Sequence, residues 1–171
     1  MTLARWGLIP SWSKEPKTGY STINARVETV AEKPAYRAPF KRQRCLIPAD
    51  GFYEWKMVNG KKTPHHICMR DSRVFAFAGL WDRWEGEGGH LDSCTIIVMP
   101  ANEVMNPLHE RMPAIIAPAH YDLWLEARIT DKQEIMGYLN SAPSACLTYY
   151  PVAPRVNAPK HDDERCIRPA E

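Results

Sequence analysis

The chain has 171 residues, of which 44% are hydrophobic and 25% are charged, with 22 basic and 20 acidic side chains. This composition excludes an intrinsically disordered chain, and the length predicts one domain spanning residues 1–171. No apolar stretch approaches the roughly 18 residues of a transmembrane helix, and we expect no secretory signal after Met1. The five cysteines are scattered and include no C-x-x-C pair. That pattern favours a reducing cytoplasm over a disulfide framework or a zinc site.

Most of the predicted elements are strands. Apolar or alternating segments predict strands over residues 3–9, 45–48, 52–58, 61–69, 74–81, 94–99 and 149–152. Asn59-Gly60 is a strong signal for a hairpin turn between the third and fourth of these strands. A Gly-rich acidic segment, residues 85–89, is predicted to be the loop that joins the next pair.

Helical signals are fewer. We expect a turn or two over 101–105, a helix that Pro118 opens and that contains residues 121–125, and a helix over 131–139 with an N-cap candidate at Asp131. Fifteen prolines disfavour a helical bundle. The predicted fold class is therefore α+β, predominantly antiparallel β, either barrel-like or made of two packed sheets, with peripheral helices.

Positive charge is concentrated near the N-terminus. Residues 1–44 hold nine basic and three acidic side chains, a net charge of +6, whereas the remaining residues sum to −4. Aromatic side chains interleave with this charge, namely Trp6, Trp12, Tyr20, Tyr36 and Phe40. Cations for phosphates and flat rings for bases are what a surface for single-stranded nucleic acid requires. The alternative is a solvated basic face whose aromatic residues are buried in the core.

Three short segments place polar residues in apolar or turn-rich surroundings. In residues 22–26, an extended backbone would present Asn24 and Arg26 on one face. In residues 50–55, Glu54 stands between aromatic residues, where desolvation would raise its pKa and suit it to proton transfer. In residues 106–113, prolines bracket His109 and Arg111. Each has a purely structural alternative: Asn24 closes a turn, Arg26 pairs with Glu28, Glu54 points into water, and His109 is a surface histidine or one whose hydrogen bonds are satisfied.

Taken together, these segments resemble the SOS response-associated peptidase (SRAP) family. The resemblance rests on residues 6–12, 23–29, 44–55, 75–81 and 109–113 in this order, and it runs from about residue 5 to about residue 156. It implies a β-rich domain with a positively charged groove for single-stranded DNA that contains abasic sites. Members of the family link covalently to such sites. A cysteine that directly follows the initiator methionine attacks the ring-opened sugar through its amine and thiol and closes a thiazolidine ring.

The resemblance also implies roles for three residues in the chemistry, without a metal or a cofactor. Asn24 would hold the terminal amine or the nearby substrate. Glu54 would act as the acid/base that opens the sugar, and His109 would assist imine formation and the reversal of the link.

Three further residues are implied to contact DNA. Trp12 would stack on bases or wedge between them, Arg26 would bind a phosphate beside the lesion, and Arg111 would add a phosphate contact. We expect the amide, guanidinium, carboxylate and imidazole of Asn24, Arg26, Glu54 and His109 to surround a single slot in one cationic cleft.

The sequence departs from the family pattern in two places. Thr2, and not a cysteine, follows Met1, and the several dozen residues that the family carries before the segment matching 5–7 are not in this sequence. We therefore expect a chain without the family's N-terminal segment and without its nucleophile, whose crosslinking is impaired. Val98-Met99 stands where many relatives have threonines.

Three functions remain open at this point. The first is a sensor of abasic sites in single-stranded DNA, acting in the SOS and DNA damage response. The second is a thiol-type peptidase or autopeptidase, and the third is a non-catalytic remnant or partner-binding domain. Whether the chain is an enzyme and which oligomer it forms stay open as well. We expect a cytoplasmic, nucleoid-associated protein that does not bind membranes.

Overall fold

The computed structural model describes residues 1–16, 22–139 and 144–170. The chain forms two compact units, each assembled from three separate segments. The first unit contains Met1–Pro48, Ala76–Met99 and Pro113–Ala142, and the second contains Ala49–Phe75, Pro100–Met112 and Pro143–Glu171. That residues 1–171 make up a single domain stays a prediction. Lys17 and Tyr20, which contribute to the charge and aromatic pattern above, lie outside the described residues.

The described part of the chain contains ten strands and three α-helices. In chain order they are β1 (Arg5–Trp6), β2 (Asn24–Arg26), α1 (Arg37–Arg42), β3 (Arg44–Ala49), β4 (Gly51–Val58), β5 (Lys61–Met69), β6 (Phe75–Gly86), β7 (Gly89–Pro100), β8 (Arg111–Pro113), β9 (Ile115–Ile116), α2 (Tyr121–Leu125), α3 (Lys132–Leu139) and β10 (Leu147–Pro151). Short 3₁₀ turns cover Pro118–His120, Ser144–Cys146, Pro154–Asn157 and Glu164–Cys166. None of the helices described is long and apolar enough to span a lipid bilayer.

The strands form two sheets. The larger sheet has seven strands: β1-β7-β6-β3 form its main path, β2 and β8 also pair with β7, and β9 pairs with β6. The smaller sheet has the order β10-β5-β4. The prediction of a mostly β fold with few helices is confirmed. Of the two arrangements predicted, the described strands form two sheets and not a closed barrel.

Two hairpins provide most of the antiparallel pairing. In the smaller sheet, β4 and β5 pair from Gly51↔Cys68 to Val58↔Lys61. Asn59 and Gly60 between them have φ angles of 49° and 77°, the left-handed pair that a two-residue type I′ turn requires. This hairpin confirms the prediction made from Asn59-Gly60.

The second hairpin, β6–β7, is longer than predicted. Its pairing continues to Gly86↔Gly89, so only two residues, 87 and 88, remain as the turn. The prediction that residues 85–89 form a loop is therefore wrong for most of the segment. Glycine weakens a strand signal, but here Gly89 has a φ of 112° that lets the chain re-enter the sheet directly after the turn.

The first strand is shorter than predicted. Residues 3–9 were expected to be extended throughout, but β1 contains only Arg5 and Trp6. Gly7 has a φ of 112°, which turns the chain out of the strand. Leu8 and Ile9 are then buried outside any strand, at 1% and 0% exposure. Their apolar character indicated burial correctly, but not an extended backbone.

The core of the first unit lies where the three helices pack on the larger sheet. The helices contribute Phe40 from α1, Trp124 from α2, and Ile135 and Leu139 from α3. The predicted helix over 131–139 is confirmed as α3, and Asp131 caps it by accepting a hydrogen bond from the Glu134 amide at 2.9 Å. The helix α1 was not predicted, because its six residues include a proline.

The second unit is built around the smaller sheet and the segment that follows β10. Ile67 of β5 and Met105 are fully buried there. The end of the chain folds back along β10, since the Ala170 amide donates to the Pro151 carbonyl at 2.8 Å and Tyr150 Oη donates to the Ile167 carbonyl at 2.8 Å. The segment 101–105 forms turns and no α-helix. The Asn102 side chain accepts hydrogen bonds from the Val104 and Met105 amides, which holds the backbone in these turns.

Candidate functional site

The strand β2 presents two of the predicted site residues on one exposed face. Asn24 and Arg26 are both exposed, whereas Ala25 between them is fully buried. Their register partners on β7 are Ile96 and Val98. The expectation that an extended backbone places Asn24 and Arg26 side by side is therefore confirmed. The alternative that Arg26 pairs with Glu28 is not confirmed. Arg26 forms no salt bridge with any residue that the structure describes.

A tryptophan that was not selected as a site residue lies on the same face. Trp6 is opposite Cys94 on β7, two positions before the register partner of Asn24. Residues two apart on a strand share a face, so Trp6, Asn24 and Arg26 point to the same side of the sheet. Trp6 is 55% exposed, and its Nε1 donates to the Ile23 carbonyl at 2.8 Å. The position of Trp6 beside Asn24 could not be predicted from the sequence, because it depends on parallel pairing with β7, which is distant in the chain.

The aromatic residues of the basic N-terminal region divide into two groups. Tyr36 and Phe40 are buried in the core at 5% and 1% exposure, so the structural alternative holds for both of them. Trp12 is 66% exposed, at a turn between β1 and β2. Among the described members of the set, Trp6 and Trp12 therefore provide the ring surfaces available to a ligand.

Glu54 lies in β4 of the second unit and is half-buried. The alternative was that Glu54 points into water while Tyr53 and Trp55 share a buried face. The structure differs from this, since Tyr53 is half-buried like Glu54, and Trp55 is exposed and donates from its Nε1 to Asn157 Oδ1 at 2.7 Å. Burial raises the pKa of the Glu54 carboxyl above its ordinary value, and the positive charge of His109 opposes that rise. Glu54 is thus a carboxyl whose proton is held more tightly than in water and which feels the charge of an imidazole.

The loop that carries His109 is held by backbone hydrogen bonds around the buried residue Met105. Met105 is fully buried, and its carbonyl accepts hydrogen bonds from the Leu108 and His109 amides at 2.8 and 3.1 Å. The Ala101 amide donates to the Glu110 carbonyl at 2.9 Å, which closes the loop. His109 is exposed, next to Glu110 at the closed end of this loop.

The imidazole of His109 is oriented by the backbone of Arg111. His109 Nδ1 lies 3.0 Å from the Arg111 amide nitrogen and 3.1 Å from the Arg111 carbonyl oxygen. In one tautomer Nδ1 accepts from the amide, and in the other it donates to the carbonyl. In both tautomers Nδ1 is engaged, so Nε2 is the nitrogen left for a substrate.

The interaction between Glu54 and His109 leads to a prediction. We expect the Glu54 carboxyl to titrate above the ordinary range for glutamate, and His109→Ala to raise the pKa of Glu54 further, because the opposing positive charge is lost. Carboxyl-carbon NMR of glutamate-labelled protein measures this, with Glu54→Gln assigning the resonance. Titration of Glu54 at or below its ordinary pKa, or a decrease in His109→Ala, would contradict the prediction.

The six predicted site residues form two sets. Trp12, Asn24 and Arg26 belong to the first unit, and Glu54, His109 and Arg111 belong to the second. That Asn24, Arg26, Glu54 and His109 converge in one cleft stays a prediction. Within the described ranges, no group of three or more His, Cys, Asp and Glu side chains has the arrangement of a metal site.

Comparison with known proteins gives consistent matches over nearly the whole chain. The family model described as SOS response associated peptidase (SRAP) matches residues 1–159. The abasic site processing protein YoqW of Bacillus subtilis is 44% identical over 165 residues, which cover 95% of this chain and 74% of that protein. The abasic site processing protein HMCES of Xenopus tropicalis is 35% identical over 187 residues, which cover 95% of this chain and 55% of that protein.

A solved structure agrees with these matches. The crystal structure of a protein from Bacteroides thetaiotaomicron superimposes with a TM-score of 0.87 at 28% sequence identity, covering 97% of this chain and 75% of that one. The match of the family model to most of the residues, and the identity to YoqW along most of both chains, establish what the ordered motifs indicated. The chain belongs to the SRAP family.

Proposed function

We propose that the chain recognises abasic sites in DNA and takes part in the response to DNA damage. The observation that carries this proposal is the 44% identity, over 95% of the chain, to a relative named as an abasic site processing protein. Relatives from Xenopus tropicalis and Saccharomyces cerevisiae bear the same description at 35% identity. We further propose that single-stranded DNA is the preferred form of the ligand.

The first unit supplies the binding part of this function. Arg26 offers an exposed guanidinium, whose fork of donors suits a phosphate, and Asn24 stands beside it on the same face. Trp12 presents an exposed indole that can stack on an unpaired base. Stacking of this kind needs a base that is not already paired in a duplex, which supports the preference for single strands.

The second unit supplies the acid/base part. An abasic deoxyribose interconverts between a closed ring and an open aldehyde, and opening requires proton transfer at the ring oxygen and the hydroxyl. A carboxyl with a raised pKa retains its proton nearer neutrality, which is what a general acid needs. We assign this step to Glu54. His109, which the Arg111 backbone orients, is assigned to proton transfer when an amine condenses with the open aldehyde to an imine and the aldehyde oxygen leaves as water. The Arg111 side chain is assigned to a phosphate.

Fluorescence anisotropy tests the proposal. The probes are labelled oligonucleotides of about 15 nucleotides, a length that a small binding domain can cover. One is a single strand with one abasic site, the second is the same strand with the intact base, and the third is paired with a complementary strand. We expect the tightest binding to the single strand with the abasic site. Affinity should fall steeply with salt, at a slope of about −0.7 per phosphate contact. Intact-mass measurement of the same mixtures separates a covalent adduct from reversible binding.

Equal affinity for the three probes, or binding that does not depend on salt, would contradict the proposal. The variant Asp92→Asn serves as a control, because Asp92 lies in an ion pair with the exposed guanidinium of Arg83 and has none of the assigned roles. Its affinity should match that of the unmodified chain.

A further inference from the structure

The turn that carries Trp12 is fixed more firmly than an exposed turn requires. Residues 10–13, here named the Trp12 turn, close through a hydrogen bond from the Ser13 amide to the Pro10 carbonyl at 2.9 Å. Trp12 itself is 66% exposed, so its own side chain does little to anchor the turn. The direction in which the indole leaves the backbone must therefore be set by contacts that the backbone makes on either side of Trp12.

A buried carboxylate provides the central contact. Asp82 of β6 is only 5% exposed, and its Oδ2 accepts a hydrogen bond from the Ser11 amide at 2.8 Å. Its Oδ1 accepts from the Arg83 amide at 2.9 Å and from Gln43 Nε2 at 3.3 Å. Both oxygens of Asp82 are thus engaged, and one of them points at the residue next to Trp12.

Two more side chains hold the segment around this contact. Ser93, which is opposite Asp82 in the β6–β7 register, accepts from the Ile9 amide through its Oγ at 2.8 Å and is fully buried. Trp84, two residues after Asp82, donates from its Nε1 to the Ser13 carbonyl at 2.7 Å. The backbone is therefore held just before the Trp12 turn at Ile9, within it at Ser11 and at its last residue, Ser13, by residues that lie together in the β6–β7 hairpin.

The free-energy cost of burying the Asp82 carboxylate indicates that its hydrogen bonds serve to fix the Trp12 turn. Water would satisfy the amide of an exposed turn at little cost, whereas burial of a carboxylate costs free energy unless every oxygen is paired. A rigid aromatic platform loses less conformational entropy when it binds a base than a mobile one does. Hydrogen bonds that order Trp12 before a base binds therefore lower the entropy cost of binding.

We propose that Asp82 is a positioning residue that acts through Trp12: it holds the Trp12 turn in the conformation that stacks on a nucleobase. The consequence for DNA rests on the proposed function above, but the ordering of Trp12 does not. Asp82→Asn is the informative change, because the amide replaces one acceptor oxygen with a donor. That donor must then face either the Ser11 amide or the Arg83 and Gln43 donors.

The first experiment needs no DNA. Protein labelled with 5-fluorotryptophan gives one ¹⁹F NMR line for each tryptophan, and Trp12→Phe identifies the line of Trp12. We expect a single sharp Trp12 line in the unmodified chain and in Asp92→Asn, and a broadened, shifted or doubled line in Asp82→Asn. An unchanged Trp12 line in folded Asp82→Asn would overturn the proposal. If that variant does not fold, Trp84→Phe, which removes the donor to the Ser13 carbonyl and shortens the indole to a single ring, is measured in the same way and decides by the same criterion.

The second experiment is a double-mutant cycle with the single-stranded abasic oligonucleotide described above. We expect Asp82→Asn to weaken binding about two- to tenfold, the range of one lost hydrogen bond, and Trp12→Ala to weaken it about fivefold or more. In the Trp12→Ala background, Asp82→Asn should have no further effect. An equal loss in both backgrounds would show a role that does not pass through Trp12. If the unmodified chain does not bind DNA at all, the proposed function fails, while the NMR result still decides whether Asp82 positions Trp12.

Discussion

Replacement of Arg44 by methionine is expected to lower the free energy of unfolding by about 3–5 kcal/mol, because several buried carbonyl oxygens lose their donor at a cost of about 1–3 kcal/mol each. Arg44 is only 5% exposed. Its Nε donates to the Trp124 carbonyl at 2.6 Å, and its Nη1 donates to the Phe40 and Lys41 carbonyls at 2.9 and 2.6 Å. Methionine fills similar space but leaves these carbonyl oxygens without a donor.

The position of the guanidinium explains how its buried positive charge is accommodated. Phe40 and Lys41 belong to the end of α1, and Trp124 to the end of α2, so the partial negative charge of two helix C-termini faces Arg44. Its Nη2 also donates to the Glu126 and Ile129 carbonyls at 2.5 and 3.1 Å. All five donors of the side chain are thus in use.

Denaturant unfolding followed by tryptophan fluorescence measures the effect. Arg42→Met is the matched control, because Arg42 is an exposed basic residue two positions earlier and should change stability by no more than about 0.5 kcal/mol. Arg44→Lys should lie between the two, since a lysine keeps the charge but offers three donors instead of five. A loss below about 1 kcal/mol in Arg44→Met would show that other groups or water replace the guanidinium.

Arg44 also shows what could not be predicted from composition. It was counted among the nine basic residues of a potential DNA surface, yet the fold uses it to join two helix ends to the larger sheet. Its acceptors lie on the preceding helix and up to 85 residues later in the chain. Charge counts along a sequence do not distinguish a solvated arginine from one whose partners are distant carbonyls. The same limit applies to Tyr36 and Phe40, whose aromatic rings belong to the core.

Local signals predicted the local features well. Asn59-Gly60 predicted the β4–β5 hairpin because a two-residue turn of this kind needs φ above zero at both positions. Glu54 was predicted to be desolvated because it stands between aromatic residues, and its half-buried position agrees with that. The parallel pairs β1–β7 and β2–β7 were not predicted, because two- and three-residue strands leave no periodic pattern. Their partners are about 70 to 90 residues away, and so the shared face of Trp6, Asn24 and Arg26 became visible only in the structure.

The second large effect is expected for DNA affinity. Arg26→Ala should weaken binding to the single-stranded abasic oligonucleotide by about tenfold or more, because a hydrogen bond to a charged group contributes about 1.5–3 kcal/mol. Arg26 is exposed on the face that it shares with Asn24, and it has no salt bridge within the described residues that would have to break first. The slope of affinity against salt should become shallower by about 0.7, the value for one phosphate contact to a single strand.

Two further variants separate a specific phosphate contact from general charge. Arg37→Ala removes the same charge from an exposed position on α1, and it should change affinity far less than Arg26→Ala. Arg26→Lys keeps the charge but loses the planar fork, so it should recover the salt slope and only part of the affinity. Equal losses for Arg26→Ala and Arg37→Ala would mean that the DNA responds to the net charge of the basic region. A selective loss for Arg26 would place a phosphate next to Asn24, on the face where the family resemblance puts the damaged sugar.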